Sequence, residues 1–182
     1  MPMLEQRIQQ QFFESADLLS QTAEALSKPI ADAAQALLGC ITAGGKLMLC
    51  GSGASVVLAR HGAALMVGRF ERERPGLAAL AVIGETEVRA LGAPGDVLLA
   101  IAVALPTPAL LAAVRAAQTK EMTVVALTGS DAGGLVEHLS ETDVHIAVPH
   151  ERAARIHEAH TLVLHCLCDA VDLQLLGEQE PT

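Results

Sequence analysis

The sequence contains no tryptophan and no tyrosine, and its only aromatic residues are three phenylalanines. Alanine, leucine and valine do the filling. That suits closely packed helices against a parallel sheet; a β-sandwich draws more on aromatic and β-branched residues. Positive charge is scarce too: 12 Lys and Arg stand against 21 Asp and Glu, a formal net charge of −9. A surface of that sign repels a phosphate backbone, which argues against direct nucleic-acid binding. The best basic stretch, Arg69, Arg72 and Arg74, is diluted by Glu71 and Glu73. None of the four cysteines forms a C-x-x-C pair. Cys166 and Cys168 are two apart and point in different directions on a helix. All four read as reduced, buried thiols of a cytosolic protein. The opening MPMLEQRIQQQFFES is polar and amphipathic, unlike a signal peptide. No apolar run is long and uninterrupted enough to span a bilayer. The expectation is a soluble, cytoplasmic protein.

What is present points to one domain over residues 1–182, with 51% hydrophobic residues and enough chain to bury a sizeable core. Leu4, Ile8 and Phe12 recur at helical spacing, followed by Leu18, Leu19, Ala23 and Leu26. The pattern predicts a helix ending near Ser27-Lys28-Pro29 and a second from about Ile30 to Ala43, a helical pair within 1–44. Strands are predicted at Lys46–Cys50, Leu77–Ile83, Asp96–Ala104, Thr123–Leu127 and Val144–Val148. Helices are predicted at about Ser55–Val67, Thr107–Thr119 and Glu151–Leu176, with a short one near Gly134–His138. This alternation argues for α/β with a parallel sheet covered on both faces.

The stretch LMLCGSGAS enters glycines where a strand should turn into a helix. Small residues there let the backbone approach an anion, and helix N-termini attract one. Gly51, Ser52, Gly53 and Ser55 are therefore candidate phosphate ligands. The same residues also suit a plain tight turn with Ser55 as N-cap.

The segment KLMLCGSGASVVLARHGAALMVGRFERERPGLAALAV resembles the start of a sugar isomerase (SIS) domain of the phosphoheptose isomerase type. RALGAPGDVLLAI, EMTVVALTG, DVHIAVP and ARIHEAHTLVLHCLCDAVD continue the pattern in order. Within that family, HCLCDAVDLQLL and ERERP resemble the DiaA subgroup. The resemblance implies a flavodoxin-like three-layer α/β/α sandwich, with the helices before the sheet building a homotetramer. The DiaA subgroup implies binding to the replication initiator DnaA, and by position in its pattern Arg74, Leu175 and Leu176 become the candidate contacts. Family enzymes hold a sugar phosphate and move a proton between adjacent carbons. The resemblance places His61 at their metal-ligating catalytic histidine, and His157 and His165 where the last helix supplies a glutamine and a histidine.

The departures decided the expectation. The family's serine-rich loop reads Ala102-Val103-Ala104-Leu105-Pro106-Thr107 here, leaving only Thr107 as a candidate phosphate hydroxyl. Thr107-Pro108 also reads as an N-cap followed by an N1 proline. Each hydrogen bond lost to a charged group weakens phosphate binding by about 1.5–3 kcal/mol. Leu65 stands where the enzymes carry a glutamate and can neither ligate a cation nor accept a proton. His61, His157 and His165 form a set that suits zinc, or His61 and His165 survive as polar groups of an old cleft with no cofactor. Two ligands eight residues apart on one helix lie about 12 Å apart along its axis. Only Glu85–Val88 bridges a gap where family members carry roughly twenty more residues. These features set the expectation of a non-catalytic, DiaA-like regulator that binds DnaA. The alternatives are an isomerase of sedoheptulose 7-phosphate and a sugar-phosphate-binding sensor.

Overall fold

The computed structural model describes residues 2–178. Its first element is a single helix, α1, over Pro2–Thr42. The expected break at Pro29 does not occur, which corrects the helical pair. An interior proline costs a backbone hydrogen bond and about 3 kcal/mol. Packing offsets that cost here. Leu18, Thr22, Ala33, Ala34, Leu37 and Cys40 are buried on both sides of Pro29 and keep one stripe facing the body.

Five strands follow: β1 (Leu47–Gly51), β2 (Ala79–Val82), β3 (Val97–Ala102), β4 (Thr123–Thr128) and β5 (Val144–Ala147). Between and after them run α2 (Ser55–Val67), α3 (Glu85–Leu91), α4 (Pro108–Thr119), a 3₁₀ turn (Gly133–His138) and α5 (Ala153–Leu176). All strand pairs are parallel, in the order β2-β1-β3-β4-β5. This is the flavodoxin-like doubly wound order, and it bears out the expected fold. The strands read as near-continuous apolar runs because both faces are covered.

Alternating side chains feed two separate cores. Leu47, Leu49, Leu99, Val125, Leu127 and Ile146 pack with α1, α2 and α5. Met48, Cys50, Leu98, Ala100, Val124 and Ala126 pack with α3 and α4. Helix α5 is long and apolar enough to cross a membrane by composition. Its face carrying Ile156, Ala159, Val163, Leu164, Leu167 and Val171 is nonetheless buried against the sheet and α1, the pattern of a core helix.

The bridge after Ile83 is itself helical. The Glu87 carboxylate accepts from the Gly84 N–H at 3.1 Å and the Ile83 N–H at 3.4 Å, a capping interaction that starts α3. Glu85 pairs with Arg89 one turn on.

Candidate active site

The C-terminal ends of β1 and β3 lie side by side where the strand order reverses, the usual ligand crevice of such a sheet. Here the β1–α2 turn is built around Gly51. A Cβ there would lie 2.3 Å from the Ser55 carbonyl, so only glycine permits the close approach. Gly53 adopts φ +56, the left-handed region. The Ser52 N–H extends the ladder by donating to the Ile101 carbonyl at 2.9 Å. The Ser52 hydroxyl accepts from the Thr107 N–H at 3.1 Å and ties the turn to the β3–α4 loop. The Thr107 hydroxyl accepts from the Leu110 N–H at 3.3 Å, so it caps α4 as the structural reading of Thr107-Pro108 requires. The five predicted phosphate residues are thus brought together, but two of their hydroxyls are engaged within the protein. Ser55 differs: it is wholly buried and its Oγ has no hydrogen-bond partner.

The loop that lacks the family's hydroxyls is held by apolar packing. A Cβ at Gly133 would lie 2.9 Å from Pro106 and 3.1 Å from Leu105. Beside it, over the ends of β3 and β4, opens a cavity of about 600 Å³ lined by Val103, Ala104, Gly129, Ser130, His150 and Ile156, among others.

The histidines come from two helices. His61 projects from α2 and His165 from α5, and their Nε2 atoms stand 3.3 Å apart. One nitrogen must carry a proton for that contact to be attractive. The rings meet edge to face at a centroid distance of 5.6 Å, and the Phe70 ring centroid lies 5.3 Å from that of His165. Leu65, one turn after His61, packs against the core instead.

The three-histidine set is not assembled. Among the described residues no group of three His, Cys, Asp or Glu side chains converges. The helical rise that separates His157 from His165 accounts for this. Two imidazole nitrogens at a tetrahedral zinc stand about 3.3 Å apart, so His61 and His165 match one edge. A catalytic zinc takes three protein ligands, and within this chain Leu65 withholds the third. The residues do not fit a resident zinc.

Other expected site residues take different places. Arg74 is no rim charge: its side chain is 1% exposed and pairs with Asp172. That corrects its assignment as a partner contact: its N–H groups are taken up inside the protein by the Leu65, Met66 and Gly68 carbonyls and the Asp172 carboxylate. Leu175 and Leu176 stand partly exposed at the end of α5. Glu158 accepts from the Ser15 hydroxyl and from Arg155, so it is a tethered carboxylate. His160 is fully buried, with Nε2 3.0 Å from the Thr128 carbonyl. Sequence reasoning missed Phe70 and the burial of Arg74; the lone aromatic among charges in GRFERERP was the available signal.

Comparison with known proteins gives the family. The family model described as SIS domain matches residues 11–129. A protein named phosphoheptose isomerase from Methylibium petroleiphilum is 60% identical over 200 residues, covering all of both chains. The chain belongs to the phosphoheptose isomerase family of SIS domains. Among solved structures, the phosphoheptose isomerase GmhA of Neisseria gonorrhoeae superposes with a TM-score of 0.86 at 36% identity, covering 93% of this chain and 98% of that one. The phosphoheptose isomerase of Francisella tularensis gives 0.88 at 36% identity, with 94% and 99% covered. The 200 aligned positions against 182 residues leave 18 without a counterpart here.

These relatives overturn the expectation of a non-catalytic regulator that binds DnaA. Full-length identity of 60% is to a protein named for an activity that the regulator reading denied. The DnaA contacts assigned to Arg74, Leu175 and Leu176 fall with it. The β3–α4 loop keeps Thr107 as its one hydroxyl, while the His61–His165 pair and the β1–α2 turn are in place.

Proposed function

We propose that this SIS domain is a phosphoheptose isomerase that interconverts sedoheptulose 7-phosphate and the matching aldoheptose phosphate. The observation that carries the proposal is the imidazole pair: two ring nitrogens from separate helices, 3.3 Å apart, at one exposed site. Aldose–ketose isomerisation removes a proton from the carbon beside a carbonyl and returns one to the neighbouring carbon. A neutral imidazole takes the first proton; the protonated partner donates to the carbonyl oxygen as the enediol forms. The imidazolium so formed returns its proton to the neighbouring carbon, while the partner, now neutral, takes the proton of the other enediol hydroxyl as that oxygen becomes the new carbonyl. This assigns to His61 and His165 the work that Leu65 cannot do.

The phosphate sits at the N-terminus of α2, where backbone N–H groups and the helix dipole favour an anion. The orphan Ser55 hydroxyl supports this placement, because a buried hydroxyl without a partner is one that a bound group satisfies. Self-association into a homotetramer is part of the proposal. The exposed apolar stripe of Met3, Leu4, Ile8 and Phe12 on α1 supports it. Cytoplasmic localisation follows the same reading.

The test is turnover of sedoheptulose 7-phosphate followed by NMR. Wild-type protein produces the aldoheptose phosphate, and His165→Gln lowers kcat by about 10²–10⁴. A wild-type protein without turnover overturns the proposal. Leu65 and the missing loop hydroxyls favour one second reading, a sensor that binds a sugar phosphate without converting it. Calorimetric binding with no turnover would establish that reading instead.

A further inference from the structure

The geometry points to Arg74 as the positioning residue for the His61–His165 pair. This inference rests on the reading of that pair as the proton-transfer site. His61 and His165 belong to different helices, so their 3.3 Å contact depends on how α2 and α5 are held. One guanidinium grips both. On the α2 side, Arg74 donates to the Leu65 carbonyl at 3.1 Å and to the Met66 carbonyl at 2.9 Å, in the helix's last turn. It also donates to the Gly68 carbonyl just beyond, at 3.1 Å. On the α5 side, its Nε donates to Asp172 Oδ1.

The spacing makes the grip relevant to the pair. Leu65 follows His61 by one turn, and Asp172 follows His165 by two, on the same face. Arg74 therefore fixes the axial offset and rotation of the two helices one to two turns from the imidazoles. Both side chains of the ion pair are almost fully buried, at 1% and 2% exposure. A planar fork with several donors in fixed directions suits this task; a lysine ammonium does not. The same arginine also donates to the Pro75 carbonyl and closes the 68–76 segment that carries Phe70 against His165. No substrate contact is assigned to Arg74: it acts through the histidines.

The test must separate positioning from folding, because removing one partner of a buried pair leaves an uncompensated charge. The double variant Arg74→Met/Asp172→Leu removes both charges, a replacement often neutral for stability. Its fold is checked by circular dichroism and a cooperative melt. Arg74→Lys, which keeps the charge and loses the fork, is the second variant. Two readouts are taken on the full chain: the ring-nitrogen NMR shifts of His61 and His165, and kcat against KM for sedoheptulose 7-phosphate. In folded variants the shifts that report the Nε2–Nε2 contact move to those of independent imidazoles. In the same variants kcat falls about a hundredfold, the cost of roughly 1 Å of misplacement, while KM changes by less than about twofold. A folded variant with wild-type ring shifts and wild-type kcat overturns the proposal, as does a wild-type protein whose shifts show no contact. Should wild type show the contact without turnover, the isomerase reading fails and positioning is judged on the ring shifts alone.

Discussion

Acid should weaken this protein through His160, and by an amount the structure specifies. The ring is wholly buried on α5, its Nε2–H donates to the Thr128 carbonyl at 3.0 Å, and its Nδ1 has no partner. Burial pushes its pKa from 6.5 down to about 4, against the raising effect of that hydrogen bond. The folded state therefore holds a neutral ring where the unfolded chain takes up a proton. The stability contributed by neutral His160 is complete above pH 6.5. It is lost progressively as pH falls towards about 4, and the loss levels off below that. The two values together correspond to a loss of about 3 kcal/mol. The perturbation is His160→Gln, whose amide can donate to the same carbonyl and does not titrate. Urea unfolding of both proteins between pH 7.5 and 4 gives the comparison, with m checked for constancy. The wild-type midpoint should fall with acid more steeply than the variant's, and the gap should account for about 3 kcal/mol. Burial also lowers the His145 pKa, but that ring is present in both proteins and cancels. Parallel pH profiles for the two proteins would refute the reasoning.

Further outcomes follow from named contacts. His61→Gln should lower kcat by about 10²–10⁴ and leave the melting temperature nearly unchanged, because the ring is exposed. Gly51→Ala should destabilise by about 1–3 kcal/mol in thermal melts, since its methyl meets the Ser55 backbone. Thr107→Ala removes the α4 cap and should cost about 1 kcal/mol in urea, while Thr107→Ser should recover most of it. Ser55→Ala should weaken sugar-phosphate binding measured by calorimetry without lowering stability, because its hydroxyl has no protein partner to lose.

The sheet was legible in the sequence because each buried strand is a short apolar run bounded by glycine or a charged residue, as in Lys46–Gly51 and Asp96–Ala102. Pro29 was misleading: local propensity argued for a stop, and the buried stripe from Leu18 to Cys40 prevailed. Helix α3 is seven residues long, too short for periodicity to reveal, and its start depends on one Glu87 carboxylate. The β1–α2 turn was legible in its glycines, and the two histidines were found through the family pattern. Their spatial relation was not, because His61 and His165 are 104 residues apart and meet only through tertiary packing. Arg74 could not be placed from the sequence, since a charged run gives no sign of which member turns inward. The functional error had a physical source as well. A missing loop hydroxyl bears on affinity for a phosphate and leaves the two imidazoles standing.

The division of the interior into two cores has a consequence for where this chain can accept changes of sequence. Strand residues of one parity serve the layer of α1, α2 and α5, where both imidazoles are mounted; the other parity serves α3 and α4. The short connection after Val82 runs into α3, in the layer that holds neither histidine. A deletion there repacks one side of the sheet and reaches the other only through the strands. Such a partition lets one layer be repacked by substitution while the mounting of the two histidines in the other is kept.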